Sequence, residues 1–376
     1  MELPFKKMIQ DVISQFTSSS SGGSVVGVDI GTSSIKVVQL KNKGGKAILE
    51  TYGALSLGPY AELDVGAATN LSNEKLSTAL NDVVRESGVT TNEGGFSIPA
   101  TASLIFIVEL PATIDEKQFA TIVPIEARKY IPVPISEVVL DYWVIPKKEE
   151  SLSDMNPRES SAIIQKTEVL VAAIHNETIS KYKDVVKKTT LASGFFEIES
   201  FSGIRSTFGH ELSPIMLLDF GASRTKICIV EYGIIKAFHI INRGSQDITN
   251  SLSKSLTIPF SKAEEMKREF GLFGSSLDKN VADITKLSVD YILSESNTAV
   301  LGYERKYQKT VSKVILTGGG SMLKGFFEAA RTNFACEVIL GDPFAKVESP
   351  AFLENVLKTT GPEFAIAIGL ALRKLQ

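Results

Sequence analysis

Six consecutive residues, Asp29-Ile30-Gly31-Thr32-Ser33-Ser34, end an apolar run with a carboxylate and follow it with a glycine and three small hydroxyl side chains. A turn of that composition aims successive backbone N–H groups into a concave anion site, and its glycine supplies unusual backbone angles and room for a phosphate to approach. Asp29 cannot face a phosphate favourably, but it can hold a hydrated Mg²⁺, which keeps several waters while bridging carboxylate and phosphate oxygens. One such turn closes many ordinary hairpins. Here it occurs twice: residues 215–230 lie over residues 25–40 without a gap, and Asp219, Gly221, Ser223 and Lys226 fall on Asp29, Gly31, Ser33 and Lys36. Facing copies would clasp a polyphosphate from both sides, with Asp29 and Asp219 reaching the metal through water. A third turn, Gly318-Gly319-Gly320, follows a strand pattern and precedes a helical one, with Met322 just beyond; it offers the close backbone approach a nucleoside needs. The candidate phosphate turns are therefore residues 29–34 and their repeat at 219–224. A P-loop is excluded, because Lys36-Val37-Val38-Gln39-Leu40 continues as a strand where a P-loop enters a helix.

The elements that must position these turns are legible as periodicities. Residues 24–30, 35–40 and 47–52 read as a β-meander. Asn73 is expected to cap a helix burying Leu76, Ala79, Leu80, Val83 and Val84, and Gly88 to close it; a strand at 95–99 follows. Residues 103–190 form a unit in the order β-α-β-β-α: strand 103–109, helix 115–130 kinked at Pro124, strands 138–145 and 168–174, and helix 178–189. Residues 147–166, rich in charged and small polar side chains, read as a mobile surface loop. After a strand at 195–198 and a short helix the meander restarts at Ile215. Helical patterns run to about Tyr307, a strand at 311–316 leads into the third glycine turn and a helix bearing Met322 and Phe326, and residues 364–372 form a buried terminal helix rich in small residues. At the start, Phe5, Ile9, Val12, Ile13 and Phe16 have helical spacing and the Ser/Gly tract to Gly23 breaks it, which predicts a short helix on a flexible tether. That helix can fold back, touch a membrane surface or pair with a partner.

Composition excludes several classes. The chain has 376 residues, 43% hydrophobic and 22% charged, so it is a folded globular protein with core enough for two lobes. Forty Lys and Arg against 43 Asp and Glu leave a net charge of −3, which gives no basis for gripping a nucleic-acid backbone. Two cysteines and three scattered histidines make neither a disulfide framework nor a zinc site, and the compartment reads as reducing. No apolar run approaches the roughly 20 residues of a membrane span, and the first 16 residues lack a signal-peptide core, so the expectation is a cytoplasmic protein.

The succession of hairpin (25–40), second hairpin (215–230), strand-Thr-Gly-Gly-Gly-helix (311–328) and small-residue terminal helix (361–373) resembles the actin-like ATPase superfamily over nearly the whole chain. The resemblance implies an α/β, two-lobed actin-like (ribonuclease H-like) fold with duplicated β-meander/helix cores and an inserted β-α-β-β-α subdomain. Its parts would be an N-terminal helix and tether (1–23), a first lobe core (24–102 with 191–212 and 360–376), the insertion (103–190), a second lobe core (213–250 with 311–359) and a helical part of the second lobe (251–310). It also implies ATP and Mg as cofactors, Asp29, Gly31, Thr32, Ser33, Ser34 and Lys36 as the first phosphate loop and Asp219, Gly221, Ala222 and Ser223 as the second, Gly318, Gly319 and Gly320 as the adenosine turn, and Glu264 and Lys267 at ribose and adenine, as in MreB and FtsA. Without the superfamily, that Glu/Lys pair reads as an exposed helix face.

Within the superfamily, Glu126-Ala127-Arg128-Lys129-Tyr130-Ile131-Pro132-Val133-Pro134-Ile135-Ser136-Glu137-Val138-Val139-Leu140-Asp141-Tyr142 and the insertion at this point resemble the PilM family of type IV pilus assembly. That implies an adaptor at the cytoplasmic face of the inner membrane. It would be peripheral through its partner, would bind the N-terminal cytoplasmic peptide of a PilN-like protein and contact other inner-membrane pilus assembly proteins, and would be open to self-association. Pro124 and Val133 depart from the family pattern at the expected partner groove. Ala222 lacks the hydroxyl of Thr32 and Arg224 brings a cation nearby, so at most slow ATP hydrolysis is expected. Two other readings stay open. One is an FtsA-like filament protein, although the membrane helix that ends FtsA has no counterpart before Gln376; the other is a small-molecule kinase, for which Glu126 is the only candidate base.

Overall fold

The computed structural model describes residues 23–146, 166–209, 211–274 and 280–375. The expected helix at 3–16, its tether up to residue 22 and nearly all of the loop at 147–166 lie outside the described residues.

Two five-stranded sheets of the same topology carry the molecule. In the first, β1 (Ser24–Ile30), β2 (Ser34–Lys43) and β3 (Lys46–Ser56) form an antiparallel meander. After helix α1 (Asn73–Glu86), β4 (Glu93–Ile98) pairs parallel to β1. The chain then builds a three-stranded subdomain from β5 (Ser103–Pro111), α2 (Glu116–Ala127), β6 (Val138–Val144) and β7 (Lys166–His175), with strand order β5-β7-β6, and α3 (Asn176–Lys187) leads from it to pack against α1 in the first lobe. It returns to the first sheet as β8 (Ala192–Ile198), parallel to β4, and α4 (Glu199–Thr207) follows at once. The second sheet repeats the plan: meander β9 (Ile215–Phe220), β10 (Thr225–Glu231) and β11 (Ile234–Ile241), helices α5 (Ser245–Leu256), α6 (Phe260–Phe270) and α7 (Asn280–Tyr307), and then β12 (Lys313–Thr317) parallel to β9. After α8 (Phe326–Asn333), β13 (Glu337–Leu340) completes the order β11-β10-β9-β12-β13, which matches β3-β2-β1-β4-β8. Helices α9 (Glu354–Thr360) and α10 (Ala365–Leu375) end the described chain.

The buried strands are continuous runs because both faces of each sheet are covered. Val26, Val28, Ile35 and Val37 pack under α1 and α3, while Val38 and Leu40 turn to α10 on the other face. Small residues let α10 approach. A Cβ at Gly369 would stand 1.8 Å from the Ser202 carbonyl oxygen, and one at Gly27 1.9 Å from that of Ala367, so β1, α4 and α10 meet backbone to backbone.

Several local expectations need correction. Ser72, one residue before Asn73, caps α1 by accepting from the Lys75 N–H, and Gly88 takes the expected left-handed backbone at φ +66°. Helix α2 runs through Pro124 to Ala127 without a break, and it stops three residues short of Tyr130. The carbonyl that Pro124 leaves without a helical donor belongs to Ala120, an exposed residue within reach of water. Met322 sits in a 3₁₀ turn ahead of α8 rather than in the helix. Among the described residues no helix is long and apolar enough to cross a membrane.

Gly369→Ala forces a methyl group against the Ser202 backbone and should destabilise the protein by about 2 kcal/mol. Urea unfolding should show this as a lower midpoint with unchanged slope; a wild-type midpoint would mean that α10 does not seat as closely as described.

Candidate functional site

The two hairpin turns are built alike. Across β1–β2, Asp29 stands opposite Lys36, and the Gly31 N–H donates to the Ser34 carbonyl at 3.0 Å. Across β9–β10, Asp219 stands opposite Lys226, and the Gly221 N–H donates to the Arg224 carbonyl at 3.0 Å. A Cβ on either glycine would lie 2.9 Å from that oxygen, so neither turn tolerates a side chain there. The turns touch: Thr32 Oγ1 donates to Ser223 Oγ at 3.2 Å. None of the described hydrogen bonds uses the N–H groups of Thr32, Ser33, Ala222 or Ser223. These four donors are left for a ligand.

Both turns open onto one cleft of about 560 Å³ between the sheets. Every residue nominated for nucleotide or metal binding lines it: the first turn with Asp29 and Lys36, the second with Asp219, the Gly318-Gly319-Gly320 turn with Met322, and Glu264 with Lys267. The three glycines differ in what they allow. Gly318, at φ +82°, would place a Cβ 2.3 Å from Asp219 Oδ1, and Gly320 would place one 2.6 Å from Phe220 Cγ. A Cβ on Gly319 meets only Glu363 Oε2, 3.8 Å away.

Glu264 and Lys267 are not an exposed helix face. Both are buried on α6, and the Glu264 carboxylate accepts from Lys267 Nζ at 2.6 Å, Thr249 Oγ1 at 2.6 Å and Arg268 Nε at 2.7 Å. Burial works against its charge, but these partners outweigh it and hold Glu264 below the ordinary carboxylate range. The first lobe reaches over this pair. Gly66 adopts φ +92°, a Cβ there would be 3.1 Å from Glu264 Cδ, and the next-but-one N–H, of Ala68, donates to Gln246 on α5.

The floor of the cleft holds charge that the sequence reading did not assign. Lys226 Nζ lies 2.7 Å from Asp219 Oδ2 and 2.9 Å from Glu199 Oε2. Burial disfavours its charge, yet the two carboxylates prevail and raise its pKa above the ordinary lysine value. The only sequence signal was the coincidence of Lys226 with Lys36 in the repeat; Glu199 carried none, because α4 is joined to the cleft only by the fold. Asp29 is the contrasting member. It is 4% exposed and accepts from Ser97 Oγ at 3.2 Å. Burial pushes its carboxyl up to about 6 against the pull of Lys36, and Glu199 adds to the rise. Ser200 Oγ, also buried in the lining, has no oxygen or nitrogen partner among the described residues, only the weak Cys228 thiol beside it. A polar ligand or its water would satisfy that hydroxyl. Among the described residues no cluster of three side chains could hold a metal, so a divalent ion here would draw most of its ligands from phosphate and water. Glu126, the candidate kinase base near the end of α2, pairs with Lys129 just beyond that helix and does not line the cleft.

Two sheets of one topology joined over a cleft lined by paired glycine hairpins define a two-lobed actin-like fold with an inserted three-stranded subdomain. Solved structures share it. The chain matches a PilM-PilN type IV pilus biogenesis complex with a TM-score of 0.77 at 21% identity, over 94% of this chain and 98% of that one. It matches the ethanolamine utilization protein EutJ from Carboxydothermus hydrogenoformans with a TM-score of 0.54 at 16% identity, over 93% and 89%. Similar curated proteins include the cell division protein FtsA of Neisseria meningitidis serogroup B, 25% identical over 91% of this chain and 88% of that protein. The FtsA of Pseudomonas aeruginosa is 22% identical over 96% and 91%. The family model described as type IV pilus assembly protein PilM matches residues 27–375, and the chain belongs to that family.

The raised Asp29 carboxyl has a consequence for the ligand-free protein. A buried acid that holds its proton more tightly when folded stabilises the fold fully below its unfolded value of 3.8 and loses that contribution as pH rises to about 6. Asp29→Asn should therefore melt at relatively higher temperature than wild type at pH 7 than at pH 4. Thermal scans at the two pH values check this, and a difference independent of pH would refute it.

Proposed function

We propose that this chain is an ATP-binding adaptor of type IV pilus assembly, in which a cleft between two actin-like lobes carries the nucleotide and the inserted subdomain carries a membrane-protein partner. The observation that supports nucleotide binding best is the convergence of both hairpin turns, the third glycine turn and the Glu264–Lys267 pair on one cleft of about 560 Å³, a size suited to a ligand with a sugar, a base and phosphates. The unused N–H groups of the two turns would hold the phosphates, Lys36 would neutralise part of their charge, and Gly319 would lie against the adenosine. Mg²⁺, when bound, would offset phosphate charge, with Asp29 and Asp219 as its water-bridged carboxylate partners. The weakly partnered Ser200 hydroxyl, and the finding that no cluster of three side chains among the described residues could hold a metal, suit that division of labour.

For the partner, the resemblance to the chain of the PilM-PilN complex supports a PilN-like protein. We place its N-terminal cytoplasmic peptide at the inserted subdomain. There β6 is an edge strand among the described strands, and Trp143 on it is 63% exposed. A strand edge beside a large exposed apolar side chain suits an extended peptide. This arrangement would keep the chain at the cytoplasmic face of the inner membrane, peripheral through that partner and next to other pilus assembly proteins. The FtsA relatives favour one further reading, self-association into dimers or filaments, which sedimentation with and without ATP would detect.

Gly319→Val should fold, since a Cβ there meets only the Glu363 carboxylate, 3.8 Å away, and should bind ATP at least about tenfold more weakly by intruding on the nucleoside. Asp29→Ala should lose the Mg²⁺-dependent part of ATP affinity. Wild-type titration curves for both variants would remove the cleft as a nucleotide site. Calorimetric titration with a PilN-like N-terminal peptide should show binding whose affinity differs with and without Mg-ATP; an affinity indifferent to nucleotide would leave an adaptor without coupling.

A further inference from the structure

The cleft and the inserted subdomain are joined by a short chain of polar contacts. Strands β4 and β8 run parallel with Ile98 beside Ile198, so the residues that leave their ends emerge side by side. After β8 comes Glu199, at the start of α4; after β4 comes Pro99-Ala100, the entry to β5 and the inserted subdomain. Buried Glu199 uses both oxygens. Oε1 accepts the Ala100 N–H at 2.8 Å, and Oε2 pairs with Lys226 Nζ at 2.9 Å. Ala100 is fully buried, and its carbonyl and that of Pro99 both accept from Ser103 Oγ, the first residue of β5. Lys226, on the opposite sheet, also pairs with Asp219 in the phosphate cleft.

We infer that Glu199 is a positioning residue that transmits occupancy of the cleft to the inserted subdomain, through Lys226 on one side and the Ala100 N–H on the other. The inference rests on the nucleotide reading above. A polyphosphate in the cleft competes with Glu199 and Asp219 for the Lys226 ammonium. A buried carboxylate that loses its cation is costly to leave unpaired, so Glu199 and the Pro99–Ser103 corner it holds take a second arrangement. The inserted subdomain pivots on that corner, and its apolar face, including Ile105, Ile145 and Leu170, slides on Leu217, Val230 and Ile235 of the second sheet. Both lobes thereby bias one element that lies outside the cleft.

Hydrogen–deuterium exchange of the full chain with and without saturating Mg-ATP tests this without any partner protein. In wild type, ATP should protect residues 31–34 and 221–224 and also change exchange in 103–111 and 166–175, by about fivefold or more. Glu199→Gln keeps an acceptor for Ala100 but removes the charge facing Lys226. Ala100→Pro removes the N–H at a position where the preceding Pro99, at φ −59° and ψ 133°, already has the backbone that a following proline requires. In either variant, ATP should still protect the turns while the response of 103–111 and 166–175 disappears. A merely structural role for Glu199 would lower thermal stability and leave that response in place, which overturns the inference, as does a wild type whose turns are protected while its insertion does not respond. If ATP protects no turn in wild type, the nucleotide reading itself falls and this inference with it. Should Glu199→Gln fail to fold, Ala100→Pro decides alone.

Discussion

A lysine ammonium buried between two carboxylates from different sheets is the constraint on which the centre of this molecule depends. Lys226 is carried by the second sheet, as is Asp219, while Glu199 follows the last strand of the first. Each charge is too deep to be left alone, and removing one member strands the others in a medium that solvates them poorly. The lobes are held in register by a contact that a negatively charged ligand can also address. Thr32 on Ser223 and Ala68 on Gln246 join the same lobes with neutral hydrogen bonds, which hold shape without responding to charge.

Around that centre the duplicated plan is not used symmetrically. The two hairpins share register, turn hydrogen bond and glycine, yet Lys36 turns to Ser34 Oγ at 2.9 Å whereas Lys226 is spent on carboxylates. Asp29 is consequently the less compensated acid and Asp219 the paired one. The phosphate chain of the proposed nucleotide has a direction, and the asymmetry of the lysines would let a repeated backbone distinguish its two ends.

The inserted subdomain occupies the gap between β4 and β8, two strands that pair with each other. Its two connections therefore leave the first sheet side by side while its body rests on the second lobe, with Lys236 paired to Glu168 and Lys306 to Glu109 across that contact. An element rooted in one lobe and leaning on the other is placed to register any change in the angle between them.

Much of this was legible without coordinates. Periodicity and glycine position marked the paired hairpins, the third turn, the β-α-β-β-α insertion and the buried terminal helix, because each is a local pattern whose spacing follows from strand or helix geometry. Local chemistry carried the insertion's first helix to Tyr130 where it stops at Ala127, and it misplaced the cap of α1 by one residue. Tertiary structure alone decided that Glu264 and Lys267 are buried and not solvated, because an amphipathic helix does not announce which lobe will close over it. It alone brought Glu199 and Ala100, 99 residues apart in the chain, within hydrogen-bond distance of each other, and set Lys226 against both acids. Such contacts arise from strand order between distant segments, and no spacing in a linear sequence encodes them.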